Sequence, residues 1–246
     1  MERVRLDQRV VEMGLVESRE KAQRLILAGC VKVDGRVETK SSHQISKEAL
    51  VALVEQERFV SRGGEKLEEA FLRFELDVQG RVCMDVGAST GGFTDCLLQH
   101  GAARVYAIDV GRGQIHSTLR SDPRVVVMDG VNARYLVPGD LPAVPEFATI
   151  DASFISLTKI LPAVTQVLAN GGRIVSLIKP QFEAGREQVG KGGVVRSEAV
   201  RDEVVERVRR FGTDELGLKW LGVCPSPIKG PAGNVEFLAC WEKVRS

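Results

Sequence analysis

Residues 81–98, RVCMDVGASTGGFTDCLL, pass from an apolar run through three glycines into a second run patterned like a helix. Glycine is required where a backbone turns sharply and lies close to a ligand, so a strand–turn–helix of this composition is a candidate cradle. It is not the dinucleotide pattern G-x-G-x-x-G, nor a phosphate-binding G-x-x-x-x-G-K-[ST], because no lysine closes it. A cofactor without phosphates fits better. The next two apolar runs end on acids, YAID at Asp109 and VVVMD at Asp129, and the first run carries Asp85. An acid after the second strand suits a ribose diol, and one after the third can accept from an adenine amino group. Each aspartate alone is as well explained as an exposed strand end; three in succession favour a binding rim.

Four further ionisable residues stand where such a rim would place them. Asp151 ends FATID, Lys179 ends GGRIVSLIK just before Pro180, Glu236 follows GPAGN between Val235 and Phe237 in a late strand, and Lys66 falls in the first turns of a helix after Gly63-Gly64. A lysine whose pKa is pulled toward neutrality by desolvation or a neighbouring charge can serve as a general base. Each of the four has an ordinary surface reading as well, and spacing alone leaves open whether they meet.

The elements that must position these residues are legible in the hydrophobic pattern. From residue 81 short apolar runs alternate with amphipathic segments, the pattern of a parallel sheet with helices on both faces. Strands are expected near 81–86, 103–109, 124–128, 146–151, 172–179, 218–224 and 234–241. Leu67, Ala70, Phe71 and Phe74 give the preceding helix an apolar stripe. Upstream lies a smaller α/β module. Leu6, Val10 and Met13 recur at helical spacing up to Gly14, Ser18 is placed to cap a second helix with Ala22, Leu25 and Ile26 on one face, and Asp34-Gly35 predicts a tight hairpin turn. The expected organisation is a first domain over 1–57, a linker over 58–64 and a second domain over 65–246.

The run SREKAQRLILAGCVKVDG resembles a small RNA-binding domain first described in a ribosomal protein. That resemblance implies phosphate contacts from Arg19, Lys21, Arg24 and Lys32, with Arg36 across the hairpin; a strict two-residue turn sets Lys32 and Arg36 on opposite faces. DVGASTGGFTD resembles the first motif of ribose-methylating S-adenosylmethionine enzymes. With SRGGEKL, DVGRGQ, IDASFISL, LIKPQFE, KGGVVR and SPIKGPAGNVEFL it makes residues 61 to about 241 similar to the TlyA family of RNA 2′-O-methyltransferases, which shares a Lys-Asp-Lys-Glu tetrad with FtsJ-type enzymes. The implied fold is a Rossmann-like α/β methyltransferase with a seven-stranded, mostly parallel sheet.

By the same resemblance the tetrad maps to Lys66, Asp151, Lys179 and Glu236. Lys179 would be the base or the group orienting the 2′-oxygen, and Asp151 would tune it. S-adenosylmethionine would lie against Asp85, Gly87, Ala88, Ser89, Gly91, Gly92, Phe93, Asp109, Val110, Asp129 and Gly130. MDGVNAR departs from the family pattern, which has Glu where Asp129 stands, while Asn132 and Arg134 keep their places. Lys191 and Arg196 of KGGVVR would lie on a flexible loop facing RNA. The implied substrate is a cytidine ribose in large-subunit ribosomal RNA, with small-subunit RNA left open, and the implied partners are ribosomal RNA or ribosomal subunits.

Composition sets limits on this reading. Thirty-four Lys+Arg against 33 Asp+Glu leave a net charge of +1, so any RNA contact must come from local placement rather than an overall basic surface. No apolar run approaches the roughly 18–20 residues of a membrane span, and the charged N-terminus is unlike a signal peptide. A cytoplasmic protein with no membrane association is expected. Five scattered cysteines show no zinc spacing, so neither a metal nor a disulfide is expected. The competing classes are a membrane-lytic protein, suggested by the haemolysin label attached to the family name, and a ribosome-binding protein without catalysis. The first would need an insertable amphipathic segment, which the sequence does not show.

Overall fold

Alternating apolar strands between apolar helix stripes must bury both faces of one sheet. The computed structural model of the chain, which describes residues 2–54 and 58–244, does this in the larger of two compact units. The units divide between Arg58 and Phe59. Residues 55–57 of the expected first domain lie outside the described residues.

The first unit comprises β1 (Arg3–Arg5), α1 (Leu6–Glu12), α2 (Arg19–Leu27), β2 (Val31–Val33), β3 (Arg36–Val37), β4 (Gln44–Ser46) and β5 (Val51–Leu53). Strand β1 pairs with β4, and β3-β2-β5 form a three-stranded antiparallel sheet. The Ser18 hydroxyl accepts from the Lys21 amide at 3.2 Å, the expected cap. Asp34 and Gly35 both have positive φ, the geometry a two-residue hairpin demands. Met13 departs from expectation. It caps α1 from outside and is 40% exposed, and Val16 takes the core place instead, beyond the turn at Gly14.

Asp7, absent from the sequence reading, ties this unit together. Its carboxylate is fully buried and accepts from Arg5 (2.9 and 3.0 Å), Arg19 (3.0 Å) and Gln23 (2.9 Å), joining α1 to α2.

The second unit comprises α3 (Gly63–Phe74), β6 (Val82–Val86), α4 (Gly92–Gln99), β7 (Arg104–Asp109), α5 (Ser117–Arg120), β8 (Val125–Asp129), β9 (Phe147–Ile150), α6 (Leu161–Val167), β10 (Arg173–Ile178), α7 (Pro180–Glu183), α8 (Glu198–Arg210), β11 (Leu218–Pro225) and β12 (Phe237–Lys243). The sheet order is β11-β12-β10-β9-β6-β7-β8, with β6 to β10 parallel and β12 reversed. Successive strand residues face opposite cores: Cys83, Val105 and Phe147 pack with α3 and α4, while Met84, Tyr106 and Ala148 pack with α6 and α8. Strand order reverses direction at β6 and β9, so their carboxyl ends flank the crevice where ligands bind in open α/β sheets.

Two expectations shift here. Residues 59–64 of the expected linker are built into the second unit: Phe59 is 4% exposed in its core, and α3 starts at Gly63. The cause is close packing, because a side chain on Gly64 would collide with the Phe59 ring. Strand β12 begins at Phe237 rather than 234, because Asn234 is turned away to a neighbouring loop, and Glu236 therefore precedes the strand.

Arg5 above all holds the Asp7 carboxyl well below the usual range. Its stabilisation is therefore present at neutral pH and is lost only as pH falls below the ordinary carboxylate range. Asp7→Ala should cost the first unit about 1–2 kcal/mol through its lost charge-assisted hydrogen bonds, seen as faster amide hydrogen exchange across residues 4–54.

Candidate active site

Strand β6 delivers the chain to the glycine loop at Gly87. This residue has φ +81, and an added Cβ would sit 2.6 Å from the Asp151 carbonyl oxygen. The loop thus lies against the end of β9 with no room for a side chain. Asp109, ending β7, accepts from the Ser89 amide at 2.8 Å and the Gly111 amide at 2.7 Å, which fixes both loops to one carboxylate.

Two adjoining cavities open on this rim and share Gly87, Ser89 and Asp151. One, of about 240 Å³, is also lined by Lys66, Ala88, Gly92 and Phe93. The other, of about 480 Å³, is also lined by Asp109 and Val110, and by Gln114, Asn132, Ser153 and Phe154. Together they hold seven of the eleven residues expected to bind the cofactor.

The other four lie elsewhere. Asp85 is fully buried beneath the loop, where it accepts from Thr94 (2.7 Å) and Thr149 (2.9 Å) and so pins α4 and β9 to β6. Gly91 faces α5, and a Cβ there would meet Leu119 rather than a ligand. Asp129 accepts from the Gly113 amide and Arg120, each at 3.1 Å, and Gly130 lies against Arg112. At the end of β8 it is Asn132, two residues beyond Gly130, that reaches the cavity.

The four expected catalytic residues come together as two short ion pairs. Lys66 meets Glu236 at 2.6 Å, and Lys179 meets Asp151 at 2.6 Å. Glu236 is 1% exposed and Lys179 is 8% exposed. Gln181 donates to Glu236 at 3.4 Å, and Lys179 also donates to the Ser153 hydroxyl at 2.9 Å.

The sequence reading passed over the residues that fasten these groups. The Glu183 carboxylate accepts from the Leu157 amide and the Ser156 hydroxyl, each at 2.7 Å, linking the segment after Lys179 to the loop after Asp151. Asn234 is 1% exposed; it accepts from the Val195 amide at 2.9 Å and donates to the Gly193 carbonyl at 2.8 Å. The KGGVVR loop is therefore tied down rather than loose, with Lys191 and Arg196 exposed on it. The only available signal was that these residues sit in the quoted motifs LIKPQFE and GPAGN.

Beside the ion pairs, Phe154 is 90% exposed with φ +63, and its ring lies 5.0 Å from that of Phe182. Arg134, Lys159 and Arg186 line the groove these rings share. In the first unit Arg24, Lys32 and Arg36 are exposed. Arg19 gives its Nε to Asp7, and Lys21 pairs with Glu17 at 2.8 Å. The register pairs Lys32 with Val37 and Val33 with Arg36, so Lys32 and Arg36 do lie on opposite faces.

A five-stranded parallel run extended by a reversed β12, with a glycine loop and an acid at successive strand ends, defines the class of S-adenosylmethionine-dependent methyltransferases. Residues 59–243 match the FtsJ-like methyltransferase family and residues 4–51 match the S4 domain. Hemolysin A of Brachyspira hyodysenteriae is 46% identical over 96% of this chain and 98% of its own length. The 16S/23S rRNA (cytidine-2'-O)-methyltransferase TlyA of Mycobacterium tuberculosis is 46% identical over 96% of this chain and 88% of its own length. A solved structure named as a hemolysin, from Streptococcus thermophilus, superposes with a TM-score of 0.76 at 46% identity, covering 100% of this chain and 90% of that one. The chain belongs to the TlyA family of FtsJ-like methyltransferases. Among the described residues no helix is long and apolar enough to cross a membrane.

Two outcomes follow from the loop. Gly87→Ala should weaken S-adenosylhomocysteine binding by at least about tenfold, a loss of ~1.4 kcal/mol, and more than Gly91→Ala does; calorimetry on both folded variants decides it. Burial pushes the Asp85 carboxyl up to about 6. The folded chain therefore holds that proton more tightly than the unfolded chain, and the associated stability is lost as pH rises through that value. Asp85→Asn removes the titration, so the melting temperature of the wild type relative to the variant should fall as pH rises from about 4 to about 6.

Proposed function

We propose that this protein transfers a methyl group from S-adenosylmethionine to the ribose 2′-hydroxyl of a cytidine in ribosomal RNA. The observation that carries the reading is the pair of short ion contacts, Lys66–Glu236 and Lys179–Asp151, at the mouth of the glycine-loop cavities. The Mycobacterium tuberculosis relative is named for this reaction on both ribosomal RNAs.

The residues present suit the cofactor. Gly87 packs against the Asp151 carbonyl and lines both cavities, and the Asp109 oxygens keep lone pairs for a diol beyond the two amides they already accept. Gly87, Ala88, Ser89, Gly92, Phe93, Asp109 and Val110 would hold it, with Asn132 at the far wall. When bound, the cofactor supplies a methyl group on a positively charged sulfur, already activated for transfer.

The protein's remaining tasks are alignment and removal of one proton. Lys179 takes the proton of the 2′-hydroxyl as the oxygen attacks, and Asp151 stabilises the ammonium that forms. Lys66 and Glu236 complete the charge set beside them. Held in position, a hydroxyl and a methyl donor gain much of their rate from orientation alone.

RNA contact is supported by two features. The first unit matches the S4 domain and exposes Arg24, Lys32 and Arg36. In the second, the Phe154–Phe182 groove with Arg134, Lys159 and Arg186 offers a π-surface for a base and cations for phosphates. Burial pushes the Cys83 and Cys240 thiols up to about 12, which suits a reducing cytoplasm.

The test is to incubate the protein with large subunits, small subunits and naked ribosomal RNA plus labelled cofactor, and to map the product. The expected product is a 2′-O-methylcytidine. Lys179→Ala should lower kcat by far more than about tenfold, a loss well beyond ~1.4 kcal/mol of transition-state stabilisation, and leave cofactor affinity within a few-fold. A methyl group on a base, or a Lys179→Ala variant within tenfold of wild type, overturns the assignment.

A further inference from the structure

Ser153 lies two residues beyond Asp151, outside the Lys-Asp-Lys-Glu set, yet its hydroxyl accepts a hydrogen bond from the Lys179 Nζ. Asp151 Oδ1, by contrast, faces that nitrogen as an ion-pair contact without hydrogen-bond geometry. The distances are 2.9 Å to Ser153 Oγ and 2.6 Å to Asp151 Oδ1. Ser153 is exposed and lines the larger cavity, whereas Lys179 is 8% exposed.

The geometry of an amine gives this contact a consequence. Nζ has one bond to carbon and three other tetrahedral directions. A neutral amine has two hydrogens and a lone pair, and it rotates freely about Cε–Nζ unless its hydrogens are engaged. The Asp151 charge repels the lone pair and turns a hydrogen toward itself, which leaves the lone pair either remaining direction. The hydrogen bond to Ser153 removes that choice. Both hydrogens are then engaged, and the lone pair is confined to the third direction.

Ser153 is itself fixed despite its exposure. Three and four residues later, Ser156 and Leu157 are bonded to Glu183, a half-buried carboxylate on the segment that starts at Lys179. Between them Phe154 holds a positive φ, turning the chain sharply just after Ser153. A non-glycine residue in that region is strained and persists only where its surroundings enforce it.

We propose that Ser153 is a positioning residue for methyl transfer: with Asp151 it fixes the rotation of the Lys179 amine so that its lone pair, and not a hydrogen, meets the 2′-hydroxyl. During the step the O–H bond breaks, its proton binds the Nζ lone pair, the oxygen forms the new bond to the methyl carbon, and the carbon–sulfur bond breaks to leave a neutral thioether. The inference rests on Lys179 being the base.

The test uses the full-length protein with its ribosomal RNA substrate. Ser153→Ala, an exposed change, should keep the melting temperature and S-adenosylhomocysteine affinity of the wild type. Its kcat should fall at least about tenfold (~1.4 kcal/mol), with the KM for cofactor within about twofold. Ser153→Thr, which keeps the hydroxyl, should recover most of the rate. If Lys179→Ala is inactive while Ser153→Ala keeps kcat within about twofold of wild type, the positioning role is wrong and the catalytic assignment stands. Equal impairment of the Ala and Thr variants also overturns it, since the hydroxyl would then not be the active element. An active Lys179→Ala variant overturns both readings together.

Discussion

Glu236 and Lys179 are both withdrawn from solvent, and neither charge could remain there alone. Burying an unpaired ion costs several kcal/mol even after relaxation, and removing one partner of a buried pair leaves that cost exposed. Each charge therefore needs a counter-charge from another part of the chain. Glu236, ahead of β12, finds Lys66 in the first turn of α3, 170 residues away. Lys179, at the end of β10, finds Asp151 at the end of β9. The sheet order makes these meetings possible, because β9, β10 and β12 are consecutive neighbours and their relevant ends lie on one rim. The reactive groups and the closure of the rim are thus one structural problem with one solution.

The same rim shows how narrowly strand register divides function from scaffolding. Asp85 and Asp109 both look like acids at strand ends. Asp109 is the last residue of its strand and reaches the cavity; Asp85 is followed by Val86 and faces inward, where two threonines satisfy it. In the parallel register Asp85 lies opposite Ala107, two residues short of Asp109 and on the same face. Depth along the strand, which alternation does not mark, decides whether a carboxylate reaches the rim or locks a helix to the sheet.

What was legible came from patterns that local physics enforces. Alternation located all seven strands of the sheet, Ser18 capped its helix and Asp34-Gly35 turned its hairpin, because each depends on a few adjacent residues. The convergence of Lys66, Asp151, Lys179 and Glu236 depends on topology, and only resemblance supplied it in advance. Polar fasteners such as Asp7, Glu183 and Asn234 were invisible for the same reason. A buried carboxylate or amide has no local signature; apart from sequence neighbours of Asp7 such as Arg5, the partners lie 12 to 41 residues away. Arg19 illustrates the converse, since a cation that reads as an RNA contact already gives part of its guanidinium to Asp7.

The Asn234 side chain spans two backbone groups of the 190–196 loop, one as acceptor and one as donor. Glycines occupy three of those seven positions, so an untethered loop would sample a wide range of conformations. With the amide in place, that freedom is lost when the chain folds, not at a later encounter. Ordering a glycine-rich segment at the moment of encounter would weaken the complex and slow its formation. The loop is therefore already shaped in the unliganded protein, and the entropy deficit appears in that protein's stability.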